Sequence, residues 1–251
     1  MPKICLDAGH YGHYNCNRNV SPVYWESLMA WGLHLKLKAE LEKYGFEVIT
    51  TREDEEVDLG VYTRGQKAKG CDLFISLHSN DCETESVDRP VCIYPVDNRR
   101  MDLAQQLADC VKIVMQTNDP SRIYCRWNSA HNADYYGVIR GAASVGVPGL
   151  IIEHSFHSNN RAAKWLQSDA NLDRLAKAEA LVLADYFGLK PAEMPFTDVP
   201  EDAWYHDSVA WAYENGIVAG TSETTFSPEK PCTRAQIVTM LKRYHDKFGG
   251  G

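Results

Sequence analysis

Apolar residues along this chain follow two rhythms. Short apolar runs recur as KICLDA, FEVIT, CDLFISL, VCIYPV, YYGVIRG and GLIIEHS, most of them bounded by turn formers. Runs of that length predict strands. The stretch CDLFISLHSN, Cys71 to Asn80, reads as a strand buried on both faces of a sheet. Between the runs, apolar residues return at helical spacing. Ser21-Pro22 predicts a helix start, with serine as N-cap and proline at the first helical position. That helix is expected from about Val23 to Tyr44, with Leu28, Trp31, Leu35 and the Leu37/Leu41 pair on its apolar stripe and Gly45 as its stop.

Leu59 to Lys69 predicts a short helix, Arg99 to about Gln116 an amphipathic one carrying Leu103, Leu107 and Val111, and Asp169 to Phe187 another. Residues 53–58 are an acidic turn, and residues 117–135 are polar and turn-rich. Strands alternating with helices predict an α/β fold, an open and mostly parallel sheet flanked by helices.

The pattern breaks at GLKPAEMP, residues 188–195, where glycine closes a helix and two prolines keep the chain extended. We read a first domain over 1–190, a linker over 191–195, a small helical C-terminal module over 196–248 and a glycine tail over 249–251. The module predicts two helices, Trp204–Asn215 and Thr233–Phe248, around a core of Trp204, Val209, Trp211, Ile217 and Phe226. Thr233 and Asp198 are its expected caps.

Composition narrows the function without naming it. With 251 residues, 44% hydrophobic and 24% charged, the chain has the make-up of an ordinary globular protein. A net charge of −8 and the absence of a Lys/Arg cluster argue against a nucleic-acid partner. No apolar run approaches the ~20 residues needed to span a bilayer. Met1 leads straight into a strand without a signal-peptide pattern, so the expectation is synthesis in the cytoplasm. The eight cysteines form no CxxC motif and are expected reduced, with Cys82 and Cys92 a candidate pair if the protein reaches an oxidising compartment.

The chemistry gathers at strand ends. His10 closes the first strand and His78 the central one, while GLIIEHSFHSN runs out through Glu153 and His154. Polar groups at the carboxyl ends of strands face the crevice of an open α/β sheet. Two imidazoles suit zinc, whose catalytic sites take a third ligand and leave one position open. Glu26, in the expected first helix, and Glu153, in an otherwise apolar strand, are the carboxylates able to join them. An uncompensated buried Glu153 is costly, so it needs a partner or a task.

His13, His131, His154 and His157 are expected to be exposed or to sit behind the ligands, and Arg64 to anchor an acidic neighbour. Cys5 and Ser76 are the candidates for a nucleophile, and neither has a base beside it in sequence.

Four separated motifs carry a resemblance. LDAGH, WESLMAWGLHLKLKAELEKYGFEVITTR, LGVYTRGQKAKGCDLFISLHSN and LIIEHSFHSN resemble the zinc-dependent N-acetylmuramoyl-L-alanine amidases of the amidase-3 family, over roughly residues 3 to 187. The resemblance implies zinc (Zn2+) held by His10, Glu26 and His78, with Glu153 as the catalytic carboxylate. It implies hydrolysis of the amide between muramic acid and L-alanine in peptidoglycan. Tyr11 and Ser155 stand where the family often has glycine, and both are expected at the cleft wall.

Residues after Pro195 are similar to an S-layer homology module, through FTDV at 196–199, Trp204, Gly216, Ile217, Gly220, FSP at 226–228 and Thr233-Arg234-Ala235. Such modules bind secondary cell-wall polymers, and Arg234 is the candidate contact. Together these readings imply a two-part lytic enzyme acting at the bacterial wall, an endolysin released from the cytoplasm. The alternatives are a host autolysin or sporulation amidase lacking its leader, and a non-catalytic wall-binding protein.

Overall fold

The computed structural model describes residues 1–190 and 194–248. Lys3–Ala8 forms β1, Cys16–Asn17 β2, Tyr24–Trp25 β3, Glu26–Lys43 α1, Glu47–Thr50 β4 and Val61–Gln66 α2. Leu73–Asn80 is β5, Val91–Ile93 β6, Met101–Met115 α3, Arg122–Tyr124 β7, Gly137–Ser144 α4 and Gly149–Phe156 β8. Asn160–Leu166 is α5, Asp169–Phe187 α6, His206–Glu214 α7 and Arg234–Phe248 α8. The chain divides into two compact units, Met1–Pro191 and Ala192–Gly251. The expected linker over 191–195 lies partly, and the tail over 249–251 wholly, outside the described residues.

In the first unit six strands form one sheet in the order β4-β1-β5-β8-β6-β7. Pairings β4–β1–β5–β8 are parallel, β8–β6 is antiparallel and β6–β7 is parallel again. Side chains alternate between faces along a strand. Ile4 and Leu6, then Leu73, Ile75 and Leu77, then Leu150 and Ile152, enter a core shared with α1, α3 and α6. Cys5, Phe74 and Ile151 enter a second core with Val138, Ile139 and Ala142 of α4. Asp7, Ser76, His78 and Glu153 continue that second face at the carboxyl ends of three neighbouring strands. The expected α/β sheet, mostly parallel and flanked by helices, is present.

Local departures have identifiable causes. The long helix starts at Glu26 rather than Val23, because β2 and β3 pair as a small ribbon that holds Tyr24 and Trp25 extended. Its buried stripe is Met29, Leu33, Leu37 and Leu41, whereas Leu28 and Leu35 are exposed. YYGVIRG contributes helix α4 instead of a strand. Gly141 and Gly65 there bring α4 and α2 into contact, since a Cβ on Gly141 would lie 2.1 Å from the Tyr62 carbonyl oxygen. The 117–135 segment holds β7, and α5 follows β8; neither element was anticipated. All eight cysteines are free thiols, Cys82 and Cys92 included.

The second unit packs α7 around Phe196, Val199 and Val209, with Tyr205 and Phe226 against them. Ile217 is also buried, but Trp204 is 92% exposed and Trp211 half-exposed, so neither expected tryptophan is core. The Asp198 carboxylate accepts from the Phe226 and Ser227 N–H groups at 2.8 and 2.7 Å. Helix α8 opens on a reciprocal cap: Gln236 N–H donates to Thr233 Oγ1 at 3.2 Å and Thr233 N–H to Gln236 Oε1 at 2.8 Å. Among the described residues no helix is long and apolar enough to cross a membrane.

Candidate active site

Strand β1 ends in a tight descent. Gly9 N–H donates to Leu77 O at 3.0 Å, and His10 follows with φ 59°. A Cβ on Gly9 would fall 2.4 Å from His78 Cε1, so only glycine lets the two strand ends approach this closely. Two buried arginines hold the carbonyls there. Arg64 donates to Ala8 O at 3.2 Å and His10 O at 2.9 Å, and Arg52 donates to Ala8 O at 3.2 Å. Arg64 also faces Asp7 at 3.7 Å, the acidic neighbour expected of it.

Glu26 enters from the first turn of α1, where a helix N-terminus favours a carboxylate. Its Oε1 lies 2.8 Å from His78 Nδ1, 3.2 Å from His10 Nε2 and 3.2 Å from the Ser79 amide nitrogen. Asn15 Nδ2 donates to Oε2 at 2.7 Å and lies 3.2 Å from His10 Nε2. Burial alone would raise the Glu26 carboxyl. Hydrogen bonds to His10 and His78, and their charge, outweigh it and hold the group well below the usual carboxylate range. Burial likewise works against a charged His78, but the hydrogen bond and charge of Glu26, with Glu153 and Asp7 beyond, raise the ring to about 9.

His10, Glu26 and His78 offer three ligand atoms that all lie within 4.8 Å of one another. Two imidazoles and a carboxylate on one cleft are the donor set of a catalytic zinc site, and the residues fit that ion. Glu153 lines the same cleft, of about 330 Å³, with Tyr136, Val61 and Asn80. Its Oε2 is buried with no hydrogen-bond partner among the described residues. Burial raises Glu153 to about 7, with the charge of His78 pulling down and that of Glu26 pushing up.

The other sequence candidates settle elsewhere. His154 and His157 are buried rather than exposed. His154 bonds Glu179 at 2.7 Å and the His78 carbonyl at 2.9 Å, tying β8 to α6 and to β5. His157 Nδ1 lies 3.0 Å from Ser79 Oγ and 3.9 Å from Glu26 Oε2, so it stands behind the cluster. His13 packs edge-on against Trp25, and His131 stacks on Trp127; both are exposed.

Ser155 is not at the cleft wall. It is fully buried at φ 68°, and its hydroxyl donates to Asp88 Oδ1 at 2.8 Å. Tyr11 is exposed and stacks on Tyr14.

Ser76 has the His78 imidazole beside it, Nε2 at 3.0 Å, but its hydroxyl is wholly buried and donates to Asp7, away from any substrate. Burial pushes the Cys5 thiol far up, which removes it as a nucleophile at neutral pH. Arg234 is exposed on the first turn of α8. Sequence reasoning missed Asn15 and Asp7. A carboxylate inside the apolar run KICLDA was the same signal that marked Glu153, and it pointed to Asp7.

Fold and cluster together define an α/β domain whose polar cluster sits at the carboxyl ends of β1, β5 and β8. Residues 4–185 match the family model described as N-acetylmuramoyl-L-alanine amidase, and the chain belongs to that family. Members of the family are generally zinc-dependent. Residues 195–238 match the S-layer homology domain.

The fold is similar to the catalytic domain of CwlV, an N-acetylmuramoyl-L-alanine amidase from Bacillus (Paenibacillus) polymyxa var. colistinus. The TM-score is 0.64 at 19% identity, covering 76% of this chain and all of that one. It is also similar to the CwlD amidase from Clostridioides difficile, solved in complex with the GerS lipoprotein. There the TM-score is 0.62 at 22% identity, over 75% of this chain and 99% of that one. At these identities the likeness is one of fold.

Among curated proteins, the chain is 37% identical over 130 residues to the Surface-layer 125 kDa protein of Lysinibacillus sphaericus, covering 49% of this chain. It spans about a tenth of that relative's length.

Proposed function

We propose that this protein hydrolyses the amide between the lactyl group of N-acetylmuramic acid and L-alanine in peptidoglycan, with zinc as its cofactor. The observation that carries the reading is the convergence of His10, Glu26 and His78 on one cleft, with Glu153 beside them. In this reading the first three hold zinc and Glu153 is the catalytic residue. Zinc, when bound, supplies Lewis-acid polarisation of the scissile carbonyl and lowers the pKa of water from ~15.7 to about 7.

The protein's own groups do the rest. Glu153, raised to about 7, is poised to accept a proton from the attacking water and return it to the leaving amine. Its buried Oε2 is the atom without a partner, and so the one free to carry that proton. Asn15 and the Ser79 amide orient Glu26, and His10 and His78 keep it ionised, so it stays a ligand rather than a competing base.

The proposed organisation is a catalytic domain over 1–190 and a wall-binding module over 196–248, with Arg234 as a contact to a secondary cell-wall polymer. The S-layer homology match over 195–238 and the similarity to a surface-layer protein support wall association. An endolysin is the proposed setting, with a host autolysin as its alternative.

Purified protein should carry about one zinc per chain, lose lysis on chelation and regain it with added zinc. Mass analysis of digested muropeptides should show new L-alanine amino termini and intact muramic acid. Cleavage of a glycosidic bond instead, or full activity in metal-free protein, would refute the assignment.

A further inference from the structure

We propose that Asp7 and Ser76 are positioning residues that fix which nitrogen of His78 faces Glu26 and His10. The inference rests on the reading of His78 as a metal ligand. His78 engages both ring nitrogens: Nδ1 lies 2.8 Å from Glu26 Oε1, and Nε2 lies 3.0 Å from Ser76 Oγ. A neutral imidazole has one N–H and one lone pair, so the bond on one side dictates what the other side offers.

The hydroxyl of Ser76 has a single proton, and Asp7 Oδ2 stands 2.7 Å from its oxygen. An ionised carboxylate only accepts hydrogen bonds. The hydroxyl proton therefore goes to Asp7, and Ser76 Oγ has only lone pairs left for His78. Nε2 must therefore carry a hydrogen, so in the neutral ring that would hold a metal Nδ1 is the nitrogen with the lone pair.

The arrangement is locked from behind. Asp7 Oδ1 accepts from Thr51 Oγ1 at 2.6 Å and faces Arg64 at 3.7 Å. Asp7, Ser76, Thr51 and Arg64 are all buried. Gly9 closes on the ring, leaving no room for a Cβ. Neither Asp7 nor Ser76 lines the cleft, so both act through His78 rather than on substrate. A partner behind a ligating imidazole typically shifts metal affinity by about 10–100-fold.

Two variants separate this role from simple packing. Ser76→Ala removes the acceptor for Nε2–H and leaves the ring's proton unassigned. Asp7→Asn keeps the shape, but its amide can donate to Ser76 Oγ and turn the hydroxyl proton onto Nε2, which forces the hydrogen onto Nδ1.

The test is a zinc titration of the full chain against a chromogenic chelator, with long-range ¹H–¹⁵N NMR of the zinc-loaded wild type. The zinc Kd should rise about tenfold in Ser76→Ala and toward a hundredfold in Asp7→Asn, and His78 Nε2 should be the protonated nitrogen. Should Asp7→Asn not fold, the Ser76→Ala titration and the wild-type spectrum decide. If wild type binds zinc and a folded Ser76→Ala binds it within about twofold as tightly, this proposal alone is overturned. A spectrum with Nε2 deprotonated overturns it equally. Wild type that binds no zinc overturns the metal-site reading itself.

Discussion

His78 and Glu153 are directly opposed in the parallel pairing of β5 and β8. They share a sheet face and a cleft, yet they serve different neighbours. His78 bonds Glu26, while the Glu153 Oε2 meets no partner. In the proposed reading the two glutamates therefore do different work, one held by histidines as a ligand and one moving a proton.

Exchange of each glutamate for its amide should therefore give opposite signatures. Glu26→Gln replaces an anionic donor by a neutral one and should lower zinc content. Glu153→Gln should retain zinc and fold but lose turnover at least about a hundredfold, the typical worth of general base catalysis. Zinc analysis paired with turnover on a soluble muropeptide checks both. Zinc lost from the Glu153 variant and kept in the Glu26 variant would reverse the roles.

The Glu153 carboxyl also sets a pH dependence. Its value rises from 4.5 to about 7 on folding, because burial penalises the charge. Between those limits the native state keeps a proton that the unfolded chain gives up, so stability falls as pH rises through the window. In metal-free protein, Glu153→Gln should melt above wild type at pH values beyond about 7, and the two should converge below about 4.5. In the zinc-loaded enzyme a nearby cation favours the carboxylate, so the acid limb of the rate should fall below about 7 and vanish in the variant. Melting curves and a pH–rate profile read the two effects separately.

Ser155 tests how a left-handed residue is tolerated next to this machinery. A non-glycine residue in that region costs about 1–2 kcal/mol. Its bond to buried Asp88, a charged acceptor, is worth about 1.5–3 kcal/mol. The bond outweighs the strain, so Ser155→Gly should destabilise slightly. Ser155→Ala keeps the strain and loses the bond, so it should destabilise more. Urea unfolding of both variants checks the order; a glycine variant more stable than wild type would mean strain dominates.

The parts of this fold legible in the sequence were those where one period ran uninterrupted. The Leu73–Asn80 and Gly149–Phe156 strands, and the Leu103/Leu107/Val111 helix face, follow from local pattern alone. YYGVIRG misled because two tyrosines, a valine and an isoleucine look strand-like. What makes it helical is the docking of Gly137 and Gly141 on α2, a tertiary contact.

The start of α1 was obscured for a different reason: the ribbon that displaces it is built from two-residue strands, Cys16–Asn17 and Tyr24–Trp25, too short to show a period. At the site, His10, Glu26 and His78 were legible as strand-end and helix-start chemistry. Asn15, held at φ 50° in the loop, had no periodic signal to mark it.

The C-terminal unit yields the last prediction, because its folding and its proposed binding can be separated. Arg234 is exposed, while the helix it belongs to is capped by Thr233 and Gln236. Arg234→Ala should leave the unit's melting unchanged and weaken sedimentation with purified walls about tenfold, if a charge-assisted contact worth about 1.5 kcal/mol is lost. Thr233→Ala should do the reverse, costing about 1 kcal/mol of stability through the lost cap, with wall binding retained at temperatures where the unit stays folded. Truncation near residue 190 should weaken attachment to intact walls while activity on soluble muropeptides persists. A truncated enzyme that sediments with walls as well as the full chain would place wall binding in the first unit instead.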